Sequence, residues 1–313
     1  MFKYRLTLNV AVVFVVCLVF TSVARAQTPQ KFVSAKTGKD STSCTINLPC
    51  RTFAAAILQV PSGGEIIALD AGDYGSVTIT KSVTIVGPVG GLTGIRISFG
   101  FAVEINAKSS DTVVLRGLTL SGPGGQVGLD SGGILFGGSG VLHVENCVIN
   151  GFHGNGIGFH GAGQLFVKDT IVRNCRATGI SIGANPGTAT ASIDRCRLEK
   201  NGEGLAADLN AKVTVRDSIA AGNSNTGFVS RASADATAEI NLENCAVTGN
   251  KVGVSSIVGI VAGKALIRVS NSTITSNETG ILPIQSGSIL TRMNNTVEGN
   301  AKDGSFTGKF DPK

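Results

Sequence analysis

The sequence predicts an all-β chain: a parallel β-helix solenoid with a short N-terminal capping helix. Three observations predict it. Asn201, Asn223, Asn250, Asn277 and Asn300 lie 22, 27, 27 and 23 residues apart. Each closes a segment of one kind, from R-C-R-L-E-K-N at Asn201 to M-N-N-T-V-E-G-N at Asn300. Between them apolar residues alternate with a period of two, as in short half-buried strands. A repeat of roughly 20–30 residues marks a solenoid, in which each unit buries its apolar face against its neighbours.

In chain order the first expected element is a secretory signal peptide, residues 1–26. Lys3 and Arg5 precede an apolar run from Leu6 to Phe20, and Ala24-Arg25-Ala26 supplies a small-x-small cleavage site. Its removal takes three basic residues and no acidic one, so the net charge falls from +6 to +3. That mild balance does not fit a nucleic-acid binder, which needs a concentrated basic footprint. No later apolar stretch is long enough to span a bilayer. The expected location is therefore periplasmic or extracellular.

Residues 27–63 are expected to form a disulfide loop and the capping helix. Cys44 and Cys50 stand close together in D-S-T-S-C-T-I-N-L-P-C. An exported protein can keep a disulfide between them, whereas this spacing alone is a poor metal motif. The segment 52–60 places Phe53, Ala56, Ile57 and Val60 on one helical face, and Pro61 stops it. A solenoid needs such a cover on its first coil.

The β-helix is expected over 64–300, with a tail at 301–313. Its early strands are expected at 64–69, 77–79, 83–86, 103–105 and 113–115, and a glycine-rich excursion at 121–133 precedes the regular repeats. These align on Cys147, Thr170, Cys196, Ser218, Cys245, Ser272 and Asn295. Leu142, Val144 and Ile149 of one unit match Leu165, Val167 and Val172 of the next. A second strand in each unit follows a repeated glycine, as at Gly156-Ile157 and Gly179-Ile180. Cys147, Cys196 and Cys245 read as small buried hydrophobes with reduced thiols. The asparagine series reads as a ladder that satisfies turn amides coil after coil.

Several segments carry a resemblance. Phe32-Val33-Ser34-Ala35 leads to the cysteine loop and then to Pro49-Cys50-Arg51-Thr52-Phe53. Gly64-Glu65-Ile66 runs on to Asp70 and Gly72, ahead of Ile79-Thr80-Lys81-Ser82-Val83-Thr84-Ile85. With the repeats, this resembles the right-handed parallel β-helix proteins of the pectate-lyase-like superfamily, and more closely its uncharacterised secreted bacterial members. The resemblance implies a right-handed coil. It leaves activity open, because the superfamily includes pectate lyases, polygalacturonases, other glycan-active enzymes and adhesin-like passengers.

A catalytic set is hard to find. There is no Asp-Asp pair and no glycine-rich nucleotide loop ending in Lys-Ser or Lys-Thr. No cofactor or metal is expected. Asp70 and Asp73, in L-D-A-G-D-Y-G, read as a turn of the first coil. A zinc site from His153, His160 and Cys175 would need compact geometry that the spacing does not promise. Tryptophan is absent and the phenylalanines read as core. The candidate site is the outward row two residues before the anchors: Glu145, Lys168, Asp194 and Arg216, with Glu243 beyond and His143 beside Glu145. The signs alternate, so a surface ion-pair ladder accounts for the row. As a site it would meet an acidic glycan, with Lys168 or Arg216 as the proton-transfer group. Glu145 and Asp194 stand two coils apart, about 9–10 Å, which is marginal for a glycosidase pair.

Two functions follow. One is an exported non-enzymatic β-helix that presents a surface to a glycan, an envelope component or a protein. The other is a polysaccharide lyase or related enzyme acting on an acidic glycan. A cleft near residues 121–140 and 183–190 would favour the enzyme, and a flat face would favour binding. The sequence leaves the oligomeric state open.

Overall fold

The computed structural model describes residues 28–88, 93–124, 131–233, 235–261 and 263–311. The expected signal peptide and the middle of the glycine-rich excursion lie outside them. No described helix is long and apolar enough to cross a membrane.

Each coil of the solenoid contains three strands in three parallel sheets. Val141–Glu145 lies in sheet A, Val148–Asn150 in sheet B and Ile157–Phe159 in sheet C. The chain then returns to sheet A at Gly163–Lys168, beside the strand it left. Among the described residues, sheets A, B and C have 12, 10 and 9 strands. Sheet A starts at Gln30–Val33 and ends at Gly308–Lys309, so it outruns the expected 64–300 span at both ends.

The inward side chains stack into one continuous core. Leu142, Val144, Ile149, Ile157 and Phe159 are fully buried, and Leu165, Val172, Ile180 and Ile182 repeat them one coil on. The Phe136 and Phe159 rings stack with centroids 4.3 Å apart. Burying one such side chain stabilises the fold by about 1.5–3 kcal/mol, and each coil buries several.

The sequence reading runs Val144 and Ile149 together as one alternation. The structure separates them into sheets A and B. The intervening residue, Asn146, adopts a left-handed φ of 51°, and its equivalents Asp169, Arg195, Asp217, Asn244 and Asn271 do the same at 46–53°. That conformation turns the chain in one step. Asparagine and aspartate tolerate it better than most side chains.

A second corner joins sheets B and C, and the asparagine ladder runs through it. The Oδ1 of Asn250 accepts from the Asn223 backbone N–H at 3.0 Å and from Asn223 Nδ2 at 2.8 Å. Its own Nδ2 donates to the Ala220 carbonyl at 3.0 Å and to Asn277 Oδ1 at 2.9 Å. Asn201, Asn223, Asn250 and Asn277 are all at most 3% exposed. Cys175 takes the equivalent place one coil earlier, and its N–H donates to Asn201 Oδ1 at 3.0 Å. At the other end Asp303 Oδ1 accepts from both Asn300 N–H and Asn300 Nδ2. The ladder therefore ends on a carboxylate instead of open solvent.

The N-terminal cover is a helix over Phe53–Gln59. Thr52 is its N-cap, accepting from the Ala55 N–H at 3.1 Å. Phe53, Ala56, Ile57 and Val60 face the first coil and are buried. Cys44 and Cys50 form a disulfide, while Cys147, Cys175, Cys196 and Cys245 are free and buried.

Candidate functional site

Sheet A places the expected charged residues in one row. Glu145, Lys168, Asp194, Arg216 and Glu243 stand in register on successive strands, and Arg116 extends the row by one coil. The register holds, but among the described residues only the first pair of the row closes along it. Arg116 Nε pairs with Glu145 at 2.9 Å. Asp194 pairs instead with its chain neighbour Arg195, at 2.7 Å, which also grips Asp169 at 2.8 Å. Ser270 Oγ donates to the Glu243 carboxylate. Among the described residues, Lys168 and Arg216 make no ion pair within 4 Å. His143 lies 3.9 Å from Glu145 and stacks on Phe166, centroids 4.7 Å apart. Lys168 separates the Glu145 and Asp194 strands.

None of these candidates lines the groove on sheet C or the hollow along sheet B beside Asp73, Arg96 and Asn150. A groove of about 650 Å³ is walled by Phe99 and Phe101 and flanked by Ser131, Asn155 and His160. Phe99 is 72% exposed and Phe101 41%, so neither is the core residue that the sequence suggests. Glycine builds the floor. A Cβ at Gly132 would sit 2.6 Å from the Phe101 ring, and one at Gly158 would sit 2.9 Å from His160 Nε2. A side chain at either position would have to displace the ring that lies over it.

His160 is the hinge of this surface. It also borders a hollow with Asn185 and Asp208 and another with Lys108, Ser139 and Pro186. The concavity thus draws on the 131–139 and 183–186 segments, within the regions expected to wall a cleft. Burial pushes the imidazole pKa down, with Asp208 acting in the opposite sense. The ring is therefore biased towards its neutral form.

Beyond His160 lies an acidic pair already engaged. Arg231 holds Glu203 with two bonds of 2.7 and 2.9 Å and Asp208 with one of 2.9 Å. Thr178 Oγ1 donates to Glu203 at 3.2 Å, and Ser181 Oγ to Asp208 at 3.3 Å. Burial works against the guanidinium charge, but the Glu203 bonds and the Asp208 charge outweigh it and raise the Arg231 pKa. Both carboxylates are held as counterions.

Among the described residues, no three His, Cys, Asp or Glu side chains cluster to hold a cation. Cys175 points into the core, and His153 contacts Arg176 at 2.8 Å. Asp70 is the turn residue expected of it. It accepts from Ser34 Oγ at 2.6 Å, Ala35 N–H at 2.8 Å and Tyr74 Oη at 2.6 Å.

The sequence reading missed Glu203, Asp208 and Arg231, although a trace of them was present. His160, Asp208 and Arg231 each stand four residues after a repeated glycine, Gly156, Gly204 and Gly227. Aligning the units on those glycines would have put the three in one column.

Residues 101–265, more than half the chain, match the right handed beta helix region family. The chain belongs to that family. Pectate lyase Pel9A superposes with a TM-score of 0.57 at 15% identity, covering 91% of this chain and 79% of its own. An alginate lyase from Paenibacillus sp. str. FPU-7 gives 0.56 at 11% identity, covering 86% and 97%. XylC in complex with xylose gives 0.51 at 10% identity, covering 90% and 72%. These likenesses establish the fold. No curated protein sequence matches the chain.

Proposed function

We propose that this member of the right-handed β-helix family is an exported protein that binds a glycan in the sheet C groove without turning it over. One observation carries the reading: two exposed phenylalanines wall a glycine-floored groove beside the polar tips of Asn155 and His160. Flat rings meeting polar hydrogen-bonding groups suit a pyranose, which has an apolar face and a hydroxyl rim. The groove and its adjoining hollows draw on the segments where a cleft was expected to favour an enzyme, but the carboxylates beside them are held as counterions by Arg231, which argues against their use as acid and base. The names of the structural neighbours, a pectate lyase, an alginate lyase and a xylose complex, agree with a glycan ligand. The Cys44–Cys50 disulfide supports export.

A glycan array followed by calorimetry tests the binding. Phe101→Ala and His160→Ala should each weaken the best ligand about tenfold. Unchanged affinity in both would remove the groove from consideration.

One observation favours the second reading, an acidic-glycan lyase on sheet A. Among the described residues Lys168 and Arg216 make no ion pair within 4 Å, and His143, Glu145 and Asp194 lie on the same face. A polyuronate panel, with and without calcium, would show unsaturated product in the near ultraviolet. Lys168→Ala and Arg216→Ala should then each lower turnover by about 10²–10⁴. The binding reading expects no product from wild type at all.

A further inference from the structure

The outward face of sheet A has a property that one chain alone does not use. Its charged row reads Arg116, Glu145, Lys168, Asp194, Arg216, Glu243, one residue per strand. An alternating row with an even number of charges becomes its own complement when reversed. We propose that sheet A is an isologous dimer interface, occupied by a second copy of this chain.

The symmetry operation follows from the register. A two-fold axis along the strand direction, between Gly163–Lys168 and Ala189–Asp194, reverses the coil order and keeps each row facing itself. Lys168 then faces the second copy's Asp194, Glu145 its Arg216 and Arg116 its Glu243. The next row fits the same operation. Phe166 meets Ser192, and His143 meets Thr214, so the stacked rings of each copy enter low polar ground on the other. Lys168 and Arg216, which make no ion pair within 4 Å among the described residues, gain carboxylate partners.

The size sets the strength. Eight strands, from Val83–Val86 to Lys264–Ser270, lie symmetrically about the axis. At about 4.8 Å per strand and about 3.3 Å per residue they cover on the order of 600 Å² per copy. That is below the roughly 800 Å² per partner of a standard stable interface. The dimer is therefore expected to be concentration-dependent, and its charged rim makes it sensitive to salt. It does not use the sheet C groove and does not depend on the glycan reading.

Sedimentation of the mature chain from about 1 to about 200 μM, at low and high salt, tests this. Wild type should pass from monomer to dimer with concentration and dissociate in high salt. Lys168→Asp or Asp194→Lys alone places like charges opposite each other twice per dimer. Each should weaken dimerisation at least about tenfold. The double variant restores every facing pair and should recover the dimer, although it creates like-charge neighbours within each chain. A role confined to the chain predicts the reverse, a double variant no better than either single. Circular dichroism confirms that each variant is folded, and Arg216→Glu with Glu145→Arg repeats the cycle at a second pair. A wild type that stays monomeric overturns the proposal. So does a dimer indifferent to the single reversals, or a double variant that fails to recover.

Discussion

Asn250 shows what a single side chain does in this stack. Its amide accepts two bonds from Asn223 and donates to Ala220 and Asn277, at 2% exposure. Asn250→Ala should cost about 1–3 kcal/mol, because the Asn223 N–H and the Ala220 carbonyl lose partners where water does not reach. Asn250→Asp keeps the acceptor, loses the donor and buries a charge, so it should also be destabilised at neutral pH. Denaturant melts of both decide it; two wild-type midpoints would refute the ladder. Asp70 gives a pH effect of known sign. Burial raises its pKa, but bonds from Ser34, Tyr74, Ala35 and Lys36 outweigh that and hold it below the ordinary carboxylate value. A lowered folded pKa contributes stability above the unfolded value near pH 4, lost as pH falls through the folded value. Asp70→Asn should flatten that part of a melting-temperature profile between about pH 2 and 5. The internal thiols behave oppositely. Burial pushes Cys147, Cys175 and Cys245 to about 11 and Cys196 to about 12. None should be alkylated at pH 8 until the protein is unfolded, which mass spectrometry can follow.

At the scale of the element, the corner between sheets A and B is the most demanding piece of backbone. Asn146 has a φ of 51° and an exposed side chain with no hydrogen bond of its own. Asn146→Gly should therefore melt close to wild type, while Asn146→Val should lose about 1–2 kcal/mol through backbone strain. Equal melting points would show that the corner relaxes. This corner was partly legible beforehand. Val144 and Ile149 are an odd number of residues apart, so strict alternation must slip between them. The strands themselves were legible because each buries one side of a pleat, and hydropathy then alternates along the chain. The helix was legible for the same reason at a different period, with Pro61 as its stop. The assignment of strands to three sheets was not, because a left-handed turn has no hydropathy of its own.

For the whole molecule, the ends decide whether a stack stays single. Sheet A closes with Gly308–Lys309 beside Leu290 and Thr291, and Asp303 terminates the asparagine ladder. Pro283 also withholds an N–H from the last strand of sheet C, Thr279–Ile284. Ending the chain at Asn300 should bare these edges and promote aggregation, which light scattering would register; a truncated chain that stays monodisperse would show that the tail is dispensable. The same scale separates what was readable from what was not. The sequence by itself determined the repeat, the core rows, the ladder and the alternation of charge on sheet A, because each is a periodic consequence of burial or register. Only the tertiary structure decided that Phe99, Phe101 and His160 share a groove, and that Arg231 neutralises Glu203 and Asp208 beside it. Those residues come from different coils and lie on a surface where no hydrophobic period is imposed. They meet because glycines at Gly132 and Gly158 let neighbouring rings lie down, and a contact made by missing side chains leaves no pattern in hydropathy.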